Sequence, residues 1–235
     1  MEFIEADYEN IHFRIEEARY KFSPEELAEA KLIWDKKVSE NPRIFNGQAF
    51  AGYGYDLIDG KHIITVTDVL YDKFIWNRET GRSLPGFSSL VVGVVLHKDG
   101  KVYLPIRGGT TYFSGRLHPV LGGVDYDESI SGQDLGYYIK SIGFKELEEE
   151  VGLDNSISLD DLQFWGFLYD AKLERFDMIF LCECEIKSLT NWENSGVGVF
   201  TRAEFEEKLK AEPDAFLPTQ QALFPAILKE DKIWE

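Results

Sequence analysis

Alternating apolar and polar residues mark several strands along the chain. The segments 90–97 and 101–106 flank Asp99-Gly100, and Asp-Gly between two apolar runs is a strong signal for a hairpin. A second Asp-Gly, at Asp59-Gly60, joins two further segments in the same way. Later segments with the alternation of strands are 164–168, 176–184 and 197–200. The pattern therefore predicts a chain rich in short strands with tight turns.

Capping residues predict the helices around these strands. Ser23-Pro24-Glu25-Glu26 is a helix start with a capping box, and this helix should run to about residue 40. Thr201-x-x-Glu204 predicts another helix, and Pro218 opens a last one through residue 228. Strands with a few interspersed helices predict an α+β or mixed-sheet domain that begins near residue 48, with the first helix docked onto it.

A further helix is predicted over residues 132–151, because Ser131 with Asp134 matches a capping box and Gly152 suits a C-terminal cap. At about 100° per residue, one stripe of this helix carries apolar residues first and acids afterwards. The apolar members are Leu135, Tyr138, Ile139 and Ile142, and the acidic members are Glu146, Glu149 and Glu150. The stripe that faces the core in the first turns of the helix therefore becomes acidic in its last turns.

Two interpretations of this acidic stripe are open. Glutamates on a helix are usually a solvated face, and Glu148 fits that description. Phe144, Leu147 and Val151 form a second apolar strip, however, which limits how far Glu146 can swing into solvent. Three carboxylates at i, i+3 and i+4 on a partly buried face repel one another and lose hydration unless a cation lies among them. A hard divalent ion such as Mg²⁺, which takes oxygen ligands, would satisfy such a site.

The charge of the chain limits its partners. The 235 residues carry a formal net charge of −17 with no run of lysine or arginine, which argues against a nucleic acid or an acidic membrane surface as partner. No apolar run approaches the roughly 20 residues of a membrane span, and the first residues carry acids where a signal peptide has bases. Cys182 and Cys184 lie two apart in a strand-like run, so a mutual disulfide is not expected. We predict a cytoplasmic protein, and the sequence leaves the oligomeric state open.

The acidic helix resembles the signature helix of the Nudix hydrolases. The family pattern Arg-Glu-apolar-x-Glu-Glu-x-Gly-apolar is matched from position 145 to position 153, except at its first residue, where Lys145 replaces arginine. Leu121-Gly122-Gly123 is similar to the glycine pair that precedes this helix in the family. The strand context also matches, with residues 91–97 and 102–107 before the glycines and residues 165–167 and 176–184 after the helix.

This resemblance implies a fold, a reaction and a set of residues. The fold is an α+β, Nudix-like mixed β-sheet sandwiched by helices, with an N-terminal helical and β-hairpin extension. Residues 48–235 are the hydrolase domain, and residues 1–47 are an N-terminal extension with a helix. The reaction is hydrolysis of the pyrophosphate bond in a nucleoside diphosphate linked to another moiety, with Mg²⁺ as cofactor and Mn²⁺ as a substitute. Glu146, Glu149 and Glu150 are then the metal ligands and, together with Lys145, the catalytic residues.

Three departures from the family pattern bear on activity. The segment between Gly123 and Lys145 is about eight residues longer than in the family. An upstream glutamate is missing, since Tyr137 stands at its position, and a lysine at 145 orients the glutamates less well than a planar guanidinium. The candidate replacements for the missing carboxylate are Asp125, Asp127 and Glu128.

A narrower resemblance, to Nudix hydrolases of the UDP-glucose and UDP-galactose pyrophosphatase type, extends over much of the chain. It rests on Trp34, on residues 41–47, 67–74 and 90–95, and on the long insertion before the signature helix. It implies a UDP-sugar substrate that is cleaved to UMP and a sugar 1-phosphate. ADP-ribose or a dinucleotide is the alternative substrate, and a non-catalytic Nudix-fold nucleotide-binding module is the alternative to an enzyme.

Other candidate site residues have two interpretations each. Arg107, at the end of a strand, either binds a phosphate in a bidentate way or pairs with an acid. Gly122 and Gly123 either let the backbone approach the metal or the pyrophosphate, or form a plain turn. Asp177 is a candidate general base or an outward-facing strand residue, and His118 is expected to be structural. The candidates for stacking on the base, most of them expected in the core, are Phe45, Phe50, Tyr53 and Tyr55.

Overall fold

The structure is a computed structural model that describes residues 1–17, 20–42, 44–109, 113–152, 157–190 and 193–235. Within these residues, the strands are β1 (Glu2–Glu5), β2 (Ile11–Ile15), β3 (Gln48–Ile58), β4 (Lys61–Leu70), β5 (Val91–Lys98), β6 (Lys101–Arg107), β7 (Val120–Gly123), β8 (Gln163–Asp170), β9 (Arg175–Glu183) and β10 (Asn194–Thr201). The helices are α1 (Pro24–Glu40), α2 (Tyr71–Glu79), α3 (Leu135–Val151), α4 (Arg202–Ala211), α5 (Leu223–Lys229) and α6 (Asp231–Trp234). None of these helices has the length and apolar character needed to cross a membrane.

Most strands lie in one mixed sheet with the order β1-β8-β9-β5-β6-β10, and β7 joins this sheet through β5. Strands β5 and β9 are parallel, whereas the other pairs are antiparallel. One edge of β5 is shared, because β6 pairs with its residues 96–98 and β7 pairs with its residues 91–94. The sheet is therefore split where β6 and β7 separate.

Helices cover both faces of the main sheet. Along β9, Phe176 and Met178 point into a core that also contains Leu147 of α3 and the inner face of a small sheet with the order β2-β4-β3. Ile179, on the opposite face of β9, points into a second core that contains Phe205 of α4 and residues of α5 and α6. Mixed sheets with helices on both sides confirm the predicted α+β fold class.

Most predicted elements lie at their predicted places. Helix α1 begins after Ser23, whose hydroxyl accepts from the Glu26 N–H while the Glu26 carboxylate accepts from the Ser23 N–H. Both Asp-Gly pairs form hairpin turns, with φ of 50° at Asp59 and 49° at Asp99, because such tight turns require left-handed backbone. Cys182 and Cys184 are free thiols, as predicted, and both are buried.

Two helix predictions are wrong at their starts. Pro218 opens only a short 3-10 turn, because a helix running from there would place Pro225 in its interior, where the proline ring clashes with the carbonyl four residues earlier. Helix α3 begins at Leu135 and not at Gly132. Gly132 packs so closely on β2 that a Cβ would lie 2.6 Å from the Phe13 carbonyl oxygen.

The first 47 residues contribute to both sheets. Strand β1 is the edge strand beside β8, and β2 runs parallel to β4 in the small sheet. Helix α1 is tied to α2 by a hydrogen bond of 2.9 Å from Nε1 of Trp76 to Glu29. The domain boundary between residues 47 and 48 stays a prediction.

The contact between the two sheets yields the first prediction. A Cβ on Gly52 of β3 would overlap the Glu174 carbonyl oxygen and lie 2.6 Å from Cδ2 of Phe176, whereas a Cβ on Gly54 would meet its nearest neighbour, in Thr65, at 3.7 Å. We expect Gly52→Ala to lower the free energy of unfolding by about 1–3 kcal/mol through overpacking. The matched variant Gly54→Ala should be neutral or slightly stabilising. Urea unfolding followed by tryptophan fluorescence measures both, and equal effects would contradict the close contact at Gly52.

Candidate functional site

The last two turns of α3 place two glutamates against the split in the main sheet. Glu150 is 2% exposed, and Glu146 is half-buried. Glu146 lies on β7, where a Cβ on Gly122 would overlap its Cγ and lie 2.5 Å from its Cδ and Oε1. A Cβ on Gly123 would meet nothing within 4 Å. Position 122 therefore requires glycine, because Glu146 occupies the space that a side chain at this position would need. Gly123 borders open space.

Burial and mutual repulsion disfavour the ionised forms of both glutamates. Burial first, and then repulsion from Glu150, Glu149 and Glu193, raises the pKa of Glu146 to about 8. Burial likewise raises the pKa of Glu150 to about 7, although a hydrogen bond and the positive charge of Arg107 oppose this shift. At neutral pH the site therefore holds protons that a cation would displace.

Glu149 and Lys145 lie on the rim of the site. Their side chains are 55% and 57% exposed, and Nζ of Lys145 is 3.5 Å from Oε1 of Glu149. An exposed pair at this spacing stabilises a helix by only about 0.3–0.5 kcal/mol. Glu149 is therefore free to leave Lys145 and turn toward Glu146. Glu148 is exposed, as the solvated-face interpretation predicted for it.

A buried hydrogen-bond chain holds Glu150 from the core side. Asn194 donates from Nδ2 to Oε2 of Glu150 over 3.0 Å, and its Oδ1 lies 3.1 Å from Nε2 of His118. The other ring nitrogen, Nδ1, lies 2.5 Å from the Pro119 carbonyl oxygen. Burial first, and then the charge of Arg107, lowers the pKa of His118 to about 4, so the neutral ring has one N–H for these two oxygens. His118 is thus the structural residue that the sequence predicted.

Glu193 and Asn194 are site residues that sequence reasoning missed. Asn194 lies 44 positions from Glu150, so no helical spacing links the two residues. Thr190, four residues before Asn194, is hydrogen-bonded to the end of α3. Its N–H donates to the Glu150 carbonyl over 3.0 Å, and its hydroxyl donates to the carbonyl of Glu149. These bonds satisfy carbonyls at the end of α3 that have no partner inside the helix. The end of the acidic helix and the start of β10 are therefore fixed together.

Arg107 ends β6, opposite Asn194 of β10. Its positive charge opposes the rise in the pKa of Glu150, so the two groups lie close enough to interact. The structure thus brings together three separate parts of the sequence, with Glu146 and Glu150 on α3, Gly122 on β7 and Arg107 on β6. Their roles in binding a metal or a phosphate stay predictions.

Asp177 is neither outward-facing nor placed as a general base. The residue is completely buried, accepts from Nε and Nη2 of Arg175 over 2.8 and 2.9 Å, and accepts from Nε2 of Gln220. The outward-facing interpretation is wrong because β9 lies inside a sheet whose two faces are both covered, so its alternation has no solvent side. Asp177 is a structural carboxylate.

Two of the three candidates for the missing upstream carboxylate, Asp125 and Asp127, interact with groups other than Glu146 and Glu150. Tyr137, which stands at that position, is 66% exposed. Asp125 and Asp127 lie near Tyr138, whose pKa is raised by burial first and then by these two acids. Asp127 also accepts from the N–H and the hydroxyl of Ser129, so it belongs to a local turn.

The aromatic candidates are divided between core and surface. Phe50 is fully buried, as expected for a core residue, whereas Phe45 is 74% exposed. Tyr55 is partly buried and packs against the first core. Two positions that supported the family resemblance, Arg43 and Leu153, lie outside the described residues.

The donors that the site offers are carboxylate oxygens, the ligands that a hard divalent ion takes. Among the described residues, no group of three or more His, Cys, Asp or Glu side chains is placed to hold a metal ion. The side chains present nevertheless fit a hard cation, since they offer carboxylate oxygens that repel one another and are partly desolvated. A three-ligand arrangement requires Glu149 to turn from Lys145 toward Glu146 and Glu150.

No model of a known protein family and no curated protein matches the sequence. Among solved structures, a Nudix hydrolase from Alicyclobacillus acidocaldarius is 13% identical, with 60% of this chain and 91% of that one covered and a TM-score of 0.47. A MutT protein from Methanosarcina mazei Go1 is 14% identical, covering 62% of this chain and 96% of that one, with a TM-score of 0.43. A bifunctional NMN adenylyltransferase/ADP ribose pyrophosphatase from Francisella tularensis is 11% identical, covering 67% and 45%, with a TM-score of 0.47. At these identities and TM-scores, the likenesses carry no argument about the family or the activity of this chain.

The position of Glu146 on Gly122 yields the second prediction. Gly122→Ala should push the Glu146 carboxylate off β7 and weaken Mn²⁺ binding roughly 10–100-fold, as for the loss of other groups that orient a ligand. Gly123→Ala is the matched control, because its Cβ would enter open space. Titration calorimetry measures both affinities, and thermal melting verifies that both variants are folded. Equal Mn²⁺ affinity in the two variants would contradict a metal site built on Glu146.

Proposed function

We propose that the chain is a Mg²⁺-dependent hydrolase of the Nudix type. The observation that carries this proposal is the crowding of Glu146, which lies against Gly122, with Glu150, since burial and repulsion raise the pKa values of both. Desolvated carboxylates without a cation are energetically unfavourable, and a divalent ion offsets both the burial and the repulsion. Acids with strongly perturbed pKa values in one cluster are also typical of functional sites.

The proposed metal ligands are Glu146, Glu149 and Glu150, with Mg²⁺ as the ion and Mn²⁺ as a substitute. When bound, the ion neutralises phosphate charge and lowers the pKa of a bound water. Asn194 positions Glu150 through its hydrogen bond of 3.0 Å. Lys145 holds Glu149 on the rim until the ion binds.

The substrate is held by groups on the sheet side of the site. Arg107 is the proposed phosphate ligand, because its guanidinium can donate two parallel hydrogen bonds to phosphate oxygens. Gly123 leaves open space above β7, so a phosphate can approach the backbone there. A positive charge at Arg107 is needed in a chain with a formal net charge of −17, which would otherwise repel an anionic substrate.

The proposed reaction is hydrolysis of the phosphoanhydride in a nucleoside diphosphate linked to another moiety. A UDP-sugar is the specific substrate that we propose, on the pattern of Trp34 and residues 67–74 and 90–95. Water then adds across the P–O–P bond and gives UMP and a sugar 1-phosphate, with the glycosidic C–O bond intact. ADP-ribose or a dinucleotide is the runner-up substrate. A cytoplasmic location is part of the same proposal and fits the free cysteines.

One observation favours a second candidate function. Tyr137 stands exposed where the family pattern has a carboxylate. A Nudix-fold module that binds a nucleotide without hydrolysing it would tolerate this loss. The retention of Glu146, Glu149 and Glu150 favours the enzyme.

The third prediction concerns turnover. We expect hydrolysis of UDP-glucose with Mg²⁺ to give UMP and glucose 1-phosphate, in a panel with UDP-galactose, ADP-ribose, a diadenosine polyphosphate and NADH. Glu150→Gln should lower turnover on the order of 100-fold or more, because it removes a carboxylate that holds the metal. Glu148→Gln is the matched control, since Glu148 is an exposed glutamate on the same helix. Reaction in ¹⁸O-water identifies the phosphorus that is attacked.

Two results would contradict parts of this proposal. Cleavage of ADP-ribose alone would refute the sugar-nucleotide substrate while keeping the reaction. If no member of the panel is cleaved and Mn²⁺ binding is intact, the hydrolase proposal is contradicted and the non-catalytic nucleotide-binding module is favoured.

A further inference from the structure

The two cysteines of the chain lie side by side at the end of β9. Cys182 and Cys184 are the only cysteines in the sequence, and both are buried and free. The sulfur of Cys182 is 3.7 Å from the sulfur of Cys184. Neither thiol belongs to the proposed metal site. The pair is therefore a nucleophilic group that the proposed reaction does not use.

A turn of the backbone brings the two sulfurs together. Strand β9 pairs with β5 as far as Glu183 and ends there, and the Cys184 N–H donates to the Cys182 carbonyl over 3.0 Å. A hydrogen bond between residues i and i+2 is that of a γ-turn. In a straight strand, the Cα atoms of such residues are about 6.4–6.8 Å apart, at 3.2–3.4 Å per residue. The turn shortens this separation, so the spacing of a straight strand does not apply to Cys182 and Cys184.

The pair is close to the geometry that a disulfide needs. Disulfides join Cα atoms that are about 4.4–6.8 Å apart, and the shortened separation falls within this range. An S–S bond is about 2.05 Å long, so the two sulfurs must approach each other by about 1.6–1.7 Å. Cys184 lies beyond the last residue pair of β5 and β9, so it can move without breaking the pairing of these strands.

One thiol of the pair is favoured as the nucleophile. The S–H of Cys182 donates to the sulfur of Cys184, and this hydrogen bond lowers the pKa of Cys184, against the effect of burial and with help from the charge of Lys98. The thiolate is the form of cysteine that attacks an oxidant. Cys184 is also the more exposed of the two residues, at 5% against 1%. An oxidant therefore meets Cys184 first, and Cys182 is in contact with the product.

We propose that Cys182 and Cys184 form a reversible disulfide when the chain meets a small uncharged peroxide such as hydrogen peroxide. The Cys184 thiolate attacks one peroxide oxygen, the O–O bond breaks, and a sulfenic acid forms while hydroxide leaves. The Cys182 sulfur then attacks the sulfenic sulfur, the S–O bond breaks, and the leaving oxygen takes the Cys182 proton and departs as water. Overall, two thiols are oxidised to one disulfide and one hydrogen peroxide is reduced to two molecules of water.

The segment that follows Cys184 leads to the end of the acidic helix. Thr190, six residues after Cys184, is hydrogen-bonded to the carbonyls of Glu149 and Glu150. Closing the disulfide draws the start of this segment toward Cys182. We expect this movement to disturb the contacts that hold the last turn of α3 and thereby to weaken metal binding. This effect rests on the proposed function, whereas the disulfide itself does not.

The fourth prediction tests the disulfide on the full chain treated with hydrogen peroxide. Free thiols are then blocked with iodoacetamide in denaturant, and the mass of the peptide that carries both cysteines is measured before and after reduction with dithiothreitol. We expect this peptide to lose two hydrogen atoms and to regain both thiols on reduction. Cys182→Ser is the matched control, because without a second thiol the Cys184 sulfenic acid is oxidised further to a sulfinic acid.

Two results would overturn the disulfide. One is a wild-type chain that keeps both thiols free after peroxide treatment. The other is a wild-type chain in which the cysteines are oxidised one by one to sulfinic acids, since this is the behaviour of thiols that do not react with each other.

The effect on the metal site is measured separately, by calorimetric titration of the oxidised and the reduced chain with Mn²⁺ after removal of peroxide and reductant. Oxidation should weaken Mn²⁺ binding roughly tenfold, as for the loss of other groups that support a ligand. Peroxide-treated Cys184→Ser, in which the bond cannot form, should bind Mn²⁺ like the reduced wild type. Equal affinity of the oxidised and reduced wild type would refute the link to α3. If the reduced chain binds no Mn²⁺, the proposed metal site fails while the result for the disulfide stands.

Discussion

Glu146 and Glu150 lie one helical turn apart and share a space from which much of the water is excluded. Two carboxylates in such a space cannot both ionise without a large loss of hydration and strong repulsion. The amide hydrogen bond from Asn194 and the nearby charge of Arg107 favour the ionised form of Glu150, but they compensate only part of the lost hydration and the repulsion. The remaining imbalance is what a divalent cation would relieve, and the proposed chemistry follows from it.

The fold supplies this space through the split in the main sheet. Strand β7 takes the place of β6 beside the first half of β5, so α3 can lay its acidic end over β7 and against the start of β10. Gly122 permits the close approach of Glu146, and Thr190 ties the last carbonyls of α3 to the segment that leads to Asn194. Contacts of the backbone on both sides of the helix therefore set the positions of Glu146 and Glu150, whereas the side chain of Glu149 is exposed.

Much of this arrangement was predictable from local sequence signals. Capping residues placed α1 and the end of α3, and Asp-Gly pairs placed two hairpins. Helical periodicity put Glu146, Glu149 and Glu150 on one partly buried stripe, which is correct for Glu146 and Glu150 and wrong for Glu149, whose side chain is exposed. Local signals failed where distant residues decide the outcome. Gly132 is held against the backbone of β2 instead of starting the helix, and Pro225 prevents a helix from beginning at Pro218. Asn194 reaches Glu150 only because the chain returns to the end of α3, which no spacing in the sequence reveals.

The most direct test of the account is the number of protons released when the chain binds Mn²⁺. Calorimetric titrations near pH 7 in buffers with different ionisation enthalpies measure this number. At pH 7, Glu146, with a pKa of about 8, is mostly protonated and Glu150, with a pKa of about 7, is about half protonated, so the metal must displace these protons. We predict release of about one proton or more per bound ion at pH 7, falling toward zero above pH 9, and less release in Glu146→Gln. Binding of Mn²⁺ without proton release at pH 7 would contradict a site built on these two buried carboxylates.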